Sequence, residues 1–109
     1  MIELPWPPKE LMPNFKRSHH WIKYRGKTKA YREQCGWIAK TVKPQTEFTV
    51  EFHPPDKRHR DRDSVIGAFK AGQDGLADAW GVDDNTFRIT YVFGEPVKNG
   101  CVKITTNCH

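Results

Sequence analysis

Hydrophobic and polar residues alternate strictly over two stretches of the chain. At 47–53, Phe48, Val50 and Phe52 fall on one side and Glu47, Thr49, Glu51 and His53 on the other. At 86–93, Phe87, Ile89, Tyr91 and Phe93 keep the same period of two. Successive side chains of a strand point to opposite faces, so each stretch predicts a half-buried β-strand. Pro54-Pro55 stops the first, and His53 belongs to its polar, exposed or half-packed face. Two other stretches follow the helical period. Tyr31, Cys35, Ile38 and Val42 form one apolar stripe over 28–42, with Thr28 as a candidate cap and Pro44 past the end. Val65, Phe69, Gly72, Leu76 and Trp80 form another over 64–80. Gly72 weakens that helix but admits a close neighbour.

The ends of the chain carry shorter signals. Residues 2–6 predict a strand that must stop or lie at an edge, because Pro5, Pro7 and Pro8 lack N–H donors. Residues 101–106 predict a last strand with Val102 and Ile104 inward, after a turn in which Asn99-Gly100 is a hairpin signal. Residues 9–26 have no period and predict a long mobile loop of the functional kind. The order β-α-β-α-β-β, without a repeat, predicts a single α+β domain over 1–109: a mixed sheet with two main helices against it. A domain of 109 residues buries one core with little surplus stability, which assembly with a second copy would raise.

Charge narrows the function classes. The net charge is +5, unevenly spread: residues 16–43 hold nine Lys and Arg against the single acid Glu33, whereas 61–109 hold five against seven Asp and Glu. A basic surface of this kind attracts nucleic acid or an anionic membrane. There is no amphipathic anchor or long apolar run, so nucleic acid is favoured and no membrane partner is expected. The opening Met1-Ile2-Glu3-Leu4-Pro5 lacks the basic and apolar regions of a signal peptide. Cys35, Cys101 and Cys108 are odd in number and lack CxxC spacing, which argues against a disulfide framework or zinc knuckle and fits a reducing cytoplasm. Cys108-His109 has no second ligand pair at zinc spacing.

The candidate chemistry begins at Asp56-Lys57-Arg58-His59-Arg60-Asp61-Arg62-Asp63. Asp61 and Asp63 stand at the start of the second helix, and paired carboxylates suit a hard cation such as Mg²⁺. Arg58, Arg60 and Arg62 suit a polyanion approaching it. Asp63 is equally a natural N-cap. On an unbroken helix, Asp63, Gly67, Lys70 and Asp74 share a face separate from the apolar stripe. Gly67 then leaves room for Lys70 to reach back toward the carboxylates, where it would steady charge on a phosphate. A surface lysine paired with Asp74 is the competing reading. Asp83-Asp84 is either an ordinary turn or, through Asp84, a third carboxylate. Trp21 and Tyr24 among the bases of 16–32 can stack on unpaired bases or belong to a solvated loop. His19, His20, His53 and His59 have no nucleophilic partner, so no covalent mechanism is expected.

Together these residues resemble the RusA family of Holliday-junction resolvases. The resemblance spans most of the chain. It is carried by Leu4-Pro5-Trp6-Pro7-Pro8, the basic run into Asp61-Arg62-Asp63, Lys70-Ala71 with Asp74-Gly75-Leu76, and Val82-Asp83-Asp84. It implies a RusA-like fold and a Mg²⁺-dependent endodeoxyribonuclease, with Mn²⁺ as a possible substitute and no small-molecule cofactor. It further implies a homodimer that nicks opposing strands of a four-way junction in the bacterial cytoplasm, in recombination and repair, often in a phage setting. Asp61, Asp63 and Asp84 would be catalytic and hold the metal, and Lys70 would be the catalytic lysine. Lys16, Arg17, Lys23, Arg25, Lys27, Lys29, Arg58, Arg60 and Arg62 would hold DNA by its phosphates. Two positions depart from the pattern. Ser64 stands where the family often has Asn, and Gly67 stands where shorter members carry the lysine, three residues before Lys70. A non-catalytic nucleic-acid-binding protein and a nuclease acting on forks or flaps are the alternatives.

Overall fold

A computed structural model describes residues 2–106. Cys108 and His109 lie outside the described residues. The chain forms β1 (Ile2–Pro5), α1 (Pro13–Ser18), α2 (Arg25–Ala39), β2 (Glu47–His53), α3 (Arg62–Ala68), α4 (Lys70–Trp80), β3 (Arg88–Phe93) and β4 (Cys101–Thr106), with short 3-10 turns at Lys9–Leu11, Trp21–Lys23 and Asp84–Thr86. The four strands make one mixed sheet in the order β1-β4-β2-β3. Strand β4 is antiparallel to both β1 and β2, whereas β3 is parallel to β2. The result is a single α+β domain with two main helices, α2 and α4.

The alternating strands behave as their pattern predicts. Phe48, Val50 and Phe52 are fully buried, and Val102 and Ile104 join them from β4. The helical stripe does likewise: Val65, Phe69, Leu76 and Trp80 are all buried. Rings interlock edge to face across the layers, with Phe52 against Phe69 at 5.6 Å and Phe48 against Trp80 at 5.7 Å. A buried Tyr31 hydroxyl donates to the Pro5 carbonyl at 2.7 Å, tying α2 to the end of β1. Helices α2 and α4 cross almost backbone to backbone, since a Cβ on Gly75 would stand 2.2 Å from the Arg32 carbonyl oxygen. Gly72 provides a further close approach, where a Cβ would meet Phe69 at 2.7 Å and Tyr31 at 2.9 Å.

Several boundaries differ from expectation. The predicted mobile loop 9–26 is largely helical. Leu11 is fully buried and Pro13 opens α1, where a missing N–H costs nothing. Helix α2 starts at Arg25, not Thr28, and the Thr28 hydroxyl bonds back to the Tyr24 carbonyl at 3.0 Å without capping. It ends at Ala39, so Val42 lies beyond the helix yet still packs against the core. The predicted helix 64–80 is broken at Phe69 into α3 and α4. Asp61, not Asp63, occupies the N-cap position of α3. Asn99 and Gly100 do have positive φ (68° and 69°), and the Gly100 N–H closes a turn onto the Val97 carbonyl. That turn makes no hairpin, because β4 inserts between β1 and β2 while β3 lies on the far side of β2.

His53 departs most from its predicted exposure. It is buried, with Nδ1 2.7 Å from the Glu95 carbonyl oxygen and Nε2 2.5 Å from Glu51 Oε1. Both ring nitrogens therefore face an oxygen, one from the chain after β3 and one from β2 itself. Gly94 lies directly over the ring, where any Cβ would come within 2.6 Å of it. Chain folded back after β3, not the period of β2, encloses this residue.

Candidate functional site

The interruption at Phe69 divides the predicted polar face, leaving Asp63 on α3 and Lys70 at the start of α4. A rotation of 100° per residue carries only through an unbroken helix. Gly67 faces α1, with the Pro13 ring 3.5 Å from where its Cβ would be, so the gap expected there is filled from outside the helix. Lys70 begins α4 and does not pair with Asp61 or Asp63. Its ammonium joins two other carboxylates: Asp74 one turn on, at 3.4 Å, and Asp84 from the turn that follows α4. Asp83 holds that turn by accepting the Asn85 N–H at 3.0 Å, which leaves Asp84 to face the lysine. The hydrogen bond from Lys70 holds the Asp84 carboxyl below the ordinary carboxylate range. Asp84 in turn raises the lysine above its ordinary value, with Asp74 adding to the effect. Tyr91 of β3 lies alongside and donates its hydroxyl to Gln73 at 2.9 Å.

Asp61 and Asp63 are exposed and lie elsewhere, in an open hollow of about 600 Å³ lined also by His59, Arg60, Arg62 and Phe93. The Ser64 hydroxyl reaches Asp61 Oδ2 at 3.4 Å. The three arginines here have different tasks. Arg60 is folded into the loop, paired with Asp56 at 2.9 Å and donating to the Arg58 carbonyl at 3.0 Å. That pairing lowers the Asp56 pKa, with a bond from the Arg58 N–H adding to it. Arg62 lies over the Phe93 ring, 4.8 Å from its centroid, and Arg58 remains exposed. Carboxylate oxygens are the right donors for Mg²⁺ or Mn²⁺. Among the described residues, however, no three His, Cys, Asp or Glu side chains stand together as a group able to hold a metal ion. Asp61, Asp63 and Asp84 are therefore not assembled around one point, and Asp84 has an ammonium as its partner.

The cationic residues of the N-terminal half lie on α1, α2 and the turn between them, with Lys16, Arg25, Lys29 and Arg32 around one hollow. Lys23, Arg25, Lys27 and Lys29 are exposed, and Arg17 bonds to Asn14. Lys16 stands over Tyr24 at 5.4 Å and Arg25 over Trp21 at 4.7 Å. Arg32 connects this surface with the acids. Its guanidinium grips Asp78 of α4 with two bonds, at 2.6 and 2.8 Å. Its pKa is raised by that bond first and then by the charges of Asp78, Asp74 and Asp84. Arg32 and Asp78 are 46 residues apart, and nothing local in the sequence marks them as partners. The i,i+4 spacing of Lys70 and Asp74 is the one part of this network with a local signal.

No protein-family model matches the chain. An uncharacterized protein of Xylella fastidiosa is similar to it, 33% identical over 95 residues that cover 79% of this chain and 61% of the relative. The chain thus spans about three-fifths of that relative's length. No helix among the described residues is long and apolar enough to cross a membrane.

Proposed function

We propose that the chain is a structure-selective endodeoxyribonuclease of the RusA type, acting on four-way DNA junctions as a homodimer. The observation that carries this reading is the exposed Lys70 ammonium between Asp74 and Asp84, beside a helix whose solvent face is cationic. A lysine fixed among carboxylates next to a phosphate-binding surface suits charge stabilisation at a phosphodiester. In this reading Asp61, Asp63, Asp84 and Lys70 are the catalytic residues. The cations at 16, 17, 23, 25, 27 and 29, with Arg58 and Arg62, position the DNA arms. Arg60 shapes the loop that presents Asp61. Mg²⁺ is the proposed cofactor, with Mn²⁺ as a substitute, and the three aspartates are its proposed ligands. These carboxylates would hold the ion, which would supply an activated water and offset charge on the phosphate; in the structure Asp84 faces Lys70, apart from Asp61 and Asp63.

A second reading is favoured by that same separation. Asp61 accepts from the Ser64 hydroxyl, Asp83 holds a turn and Asp84 is neutralised by Lys70, so these three acids also have structural partners in a non-catalytic nucleic-acid-binding protein. One experiment separates the readings. Purified protein is incubated with labelled four-way junctions, forks and linear duplex, with Mg²⁺ or with chelator. The nuclease reading expects paired nicks in the junction only with metal. It also expects that Asp61→Asn and Asp84→Asn abolish cutting while junction binding is kept or strengthened, since each removes a negative charge near a polyanion. Binding without cutting of any substrate leaves the non-catalytic reading, and preferential cutting of forks moves the substrate away from junctions.

A further inference from the structure

An open hollow of about 340 Å³ lies where the Trp21–Lys23 turn meets α2. Trp21, Tyr24 and Thr28 line it together with Lys16, Lys29 and Arg32, and no acid lines it. Trp21 is 50% exposed, although it is the largest apolar side chain of its segment. It is nevertheless held: Arg25 covers its ring at 4.7 Å, the 3-10 turn fixes its backbone, and His20 Nδ1 accepts the Ile22 N–H at 3.3 Å. Tyr24 closes the other side under the Lys16 ammonium. Aromatic rings offered to solvent within a ring of cations match the two parts of a nucleotide, a flat base and an anionic phosphate. A paired base in a duplex has its faces stacked and cannot present one to Trp21. A phosphopeptide would use the cations but leave the rings without a partner. The hollow also shares Arg32 with the acidic cluster, since that residue lines it and grips Asp78 on α4.

We propose that this hollow receives an unpaired nucleotide of a DNA strand, its base against Trp21 and Tyr24 and its flanking phosphates on Lys16 and Lys29. The inference rests on the nuclease reading for its ligand class and deepens it. The substrate is DNA with an unstacked nucleotide, as at a branch point, and Arg32 links the hollow that holds it to the helix bearing Lys70 and Asp74. Trp21 is here a positioning residue, as it touches substrate away from the reacting phosphate.

The test is fluorescence anisotropy of the full chain with a short labelled oligothymidylate and with a blunt-ended linear duplex, in chelator so that no cleavage intervenes. Trp21→Ala is expected to weaken single-strand binding by about fivefold to a hundredfold, the loss of one base–aromatic stack, and to leave binding of the blunt-ended duplex unchanged. Trp21→Phe keeps most of the affinity. Lys16→Gln and Lys29→Gln weaken both ligands and flatten the salt dependence. An equal loss on both DNAs for Trp21→Ala, or no loss on the single strand, overturns the hollow. Because the assay reads binding alone, the two proposals fail separately. Junction cutting by the parent with unchanged single-strand binding by Trp21→Ala removes the hollow and keeps the nuclease. Trp21-dependent single-strand binding without cutting of any DNA sustains the hollow and removes the nuclease.

Discussion

Replacing Gly75 with alanine tests the contact on which the helical layer depends. The added methyl carbon would stand 2.2 Å from the Arg32 carbonyl oxygen, 3.1 Å from its carbon and 3.1 Å from the Gly36 nitrogen. The oxygen contact is about 1 Å short of ordinary van der Waals distance, and every atom met belongs to the backbone of α2, so no side chain can swing aside. Relief requires α2 and α4 to separate. Overpacking of this kind costs about 1–3 kcal/mol, and a backbone clash belongs at the upper end. Alanine returns up to about 1 kcal/mol as the better helix former. A net loss of about 2 kcal/mol remains, which for a domain of this size lowers the melting temperature by roughly 10–15 °C. Gly26 supplies the control: it lies in the first turn of α2, and nothing stands within 4 Å of its Cβ position. Gly26→Ala therefore meets no clash and leaves the melting temperature at or slightly above that of the parent. Thermal unfolding followed by circular dichroism compares the three proteins. If Gly75→Ala melts at or above the parent, the helices do not cross where the structure puts them.

Two further predictions concern titratable groups. Asp84 is expected to titrate below an ordinary aspartate in carbon-detected NMR, and Lys70→Met to return it to or above the ordinary range, with Asp74 left as its neighbour. The signs follow from the directions of the shifts. The depressed Asp84 contributes stability above its unfolded pKa of about 3.9, lost as pH falls through the folded value, and the raised Lys70 contributes below about 10.4, lost as pH rises through its own. Cys35 is fully buried and burial pushes its thiol pKa up to about 12, so it holds no thiolate near neutrality. In a Cys108→Ser chain, an aromatic disulfide reagent should leave Cys35 unlabelled until denaturant is added. Labelling of Cys35 in the native protein would contradict its burial.

What the sequence determined lies within single elements. The period of two at 48, 50 and 52 placed the buried residues correctly, because strand geometry alone decides which side chains share a face; Leu76 and Trp80 likewise share one face of α4, while Val65 reaches the same core from α3. The Lys70–Asp74 pair follows from one helical turn. Relations between elements were decided only by the tertiary structure. Asn99-Gly100 makes its turn, but which strand lies beside β4 depends on the free edges of β1 and β2. Leu11 orders a segment with no period of its own by reaching the core, and His53 is buried by chain that returns after β3. The candidate site divides in the same way. Asp61 and Asp63 stand together by adjacency, whereas Asp84 on Lys70 and Asp78 on Arg32 meet across 14 and 46 residues. Local periodicity fixes directions around one axis, but the break at Phe69 and the glycine crossing of α2 and α4 determine where those directions converge.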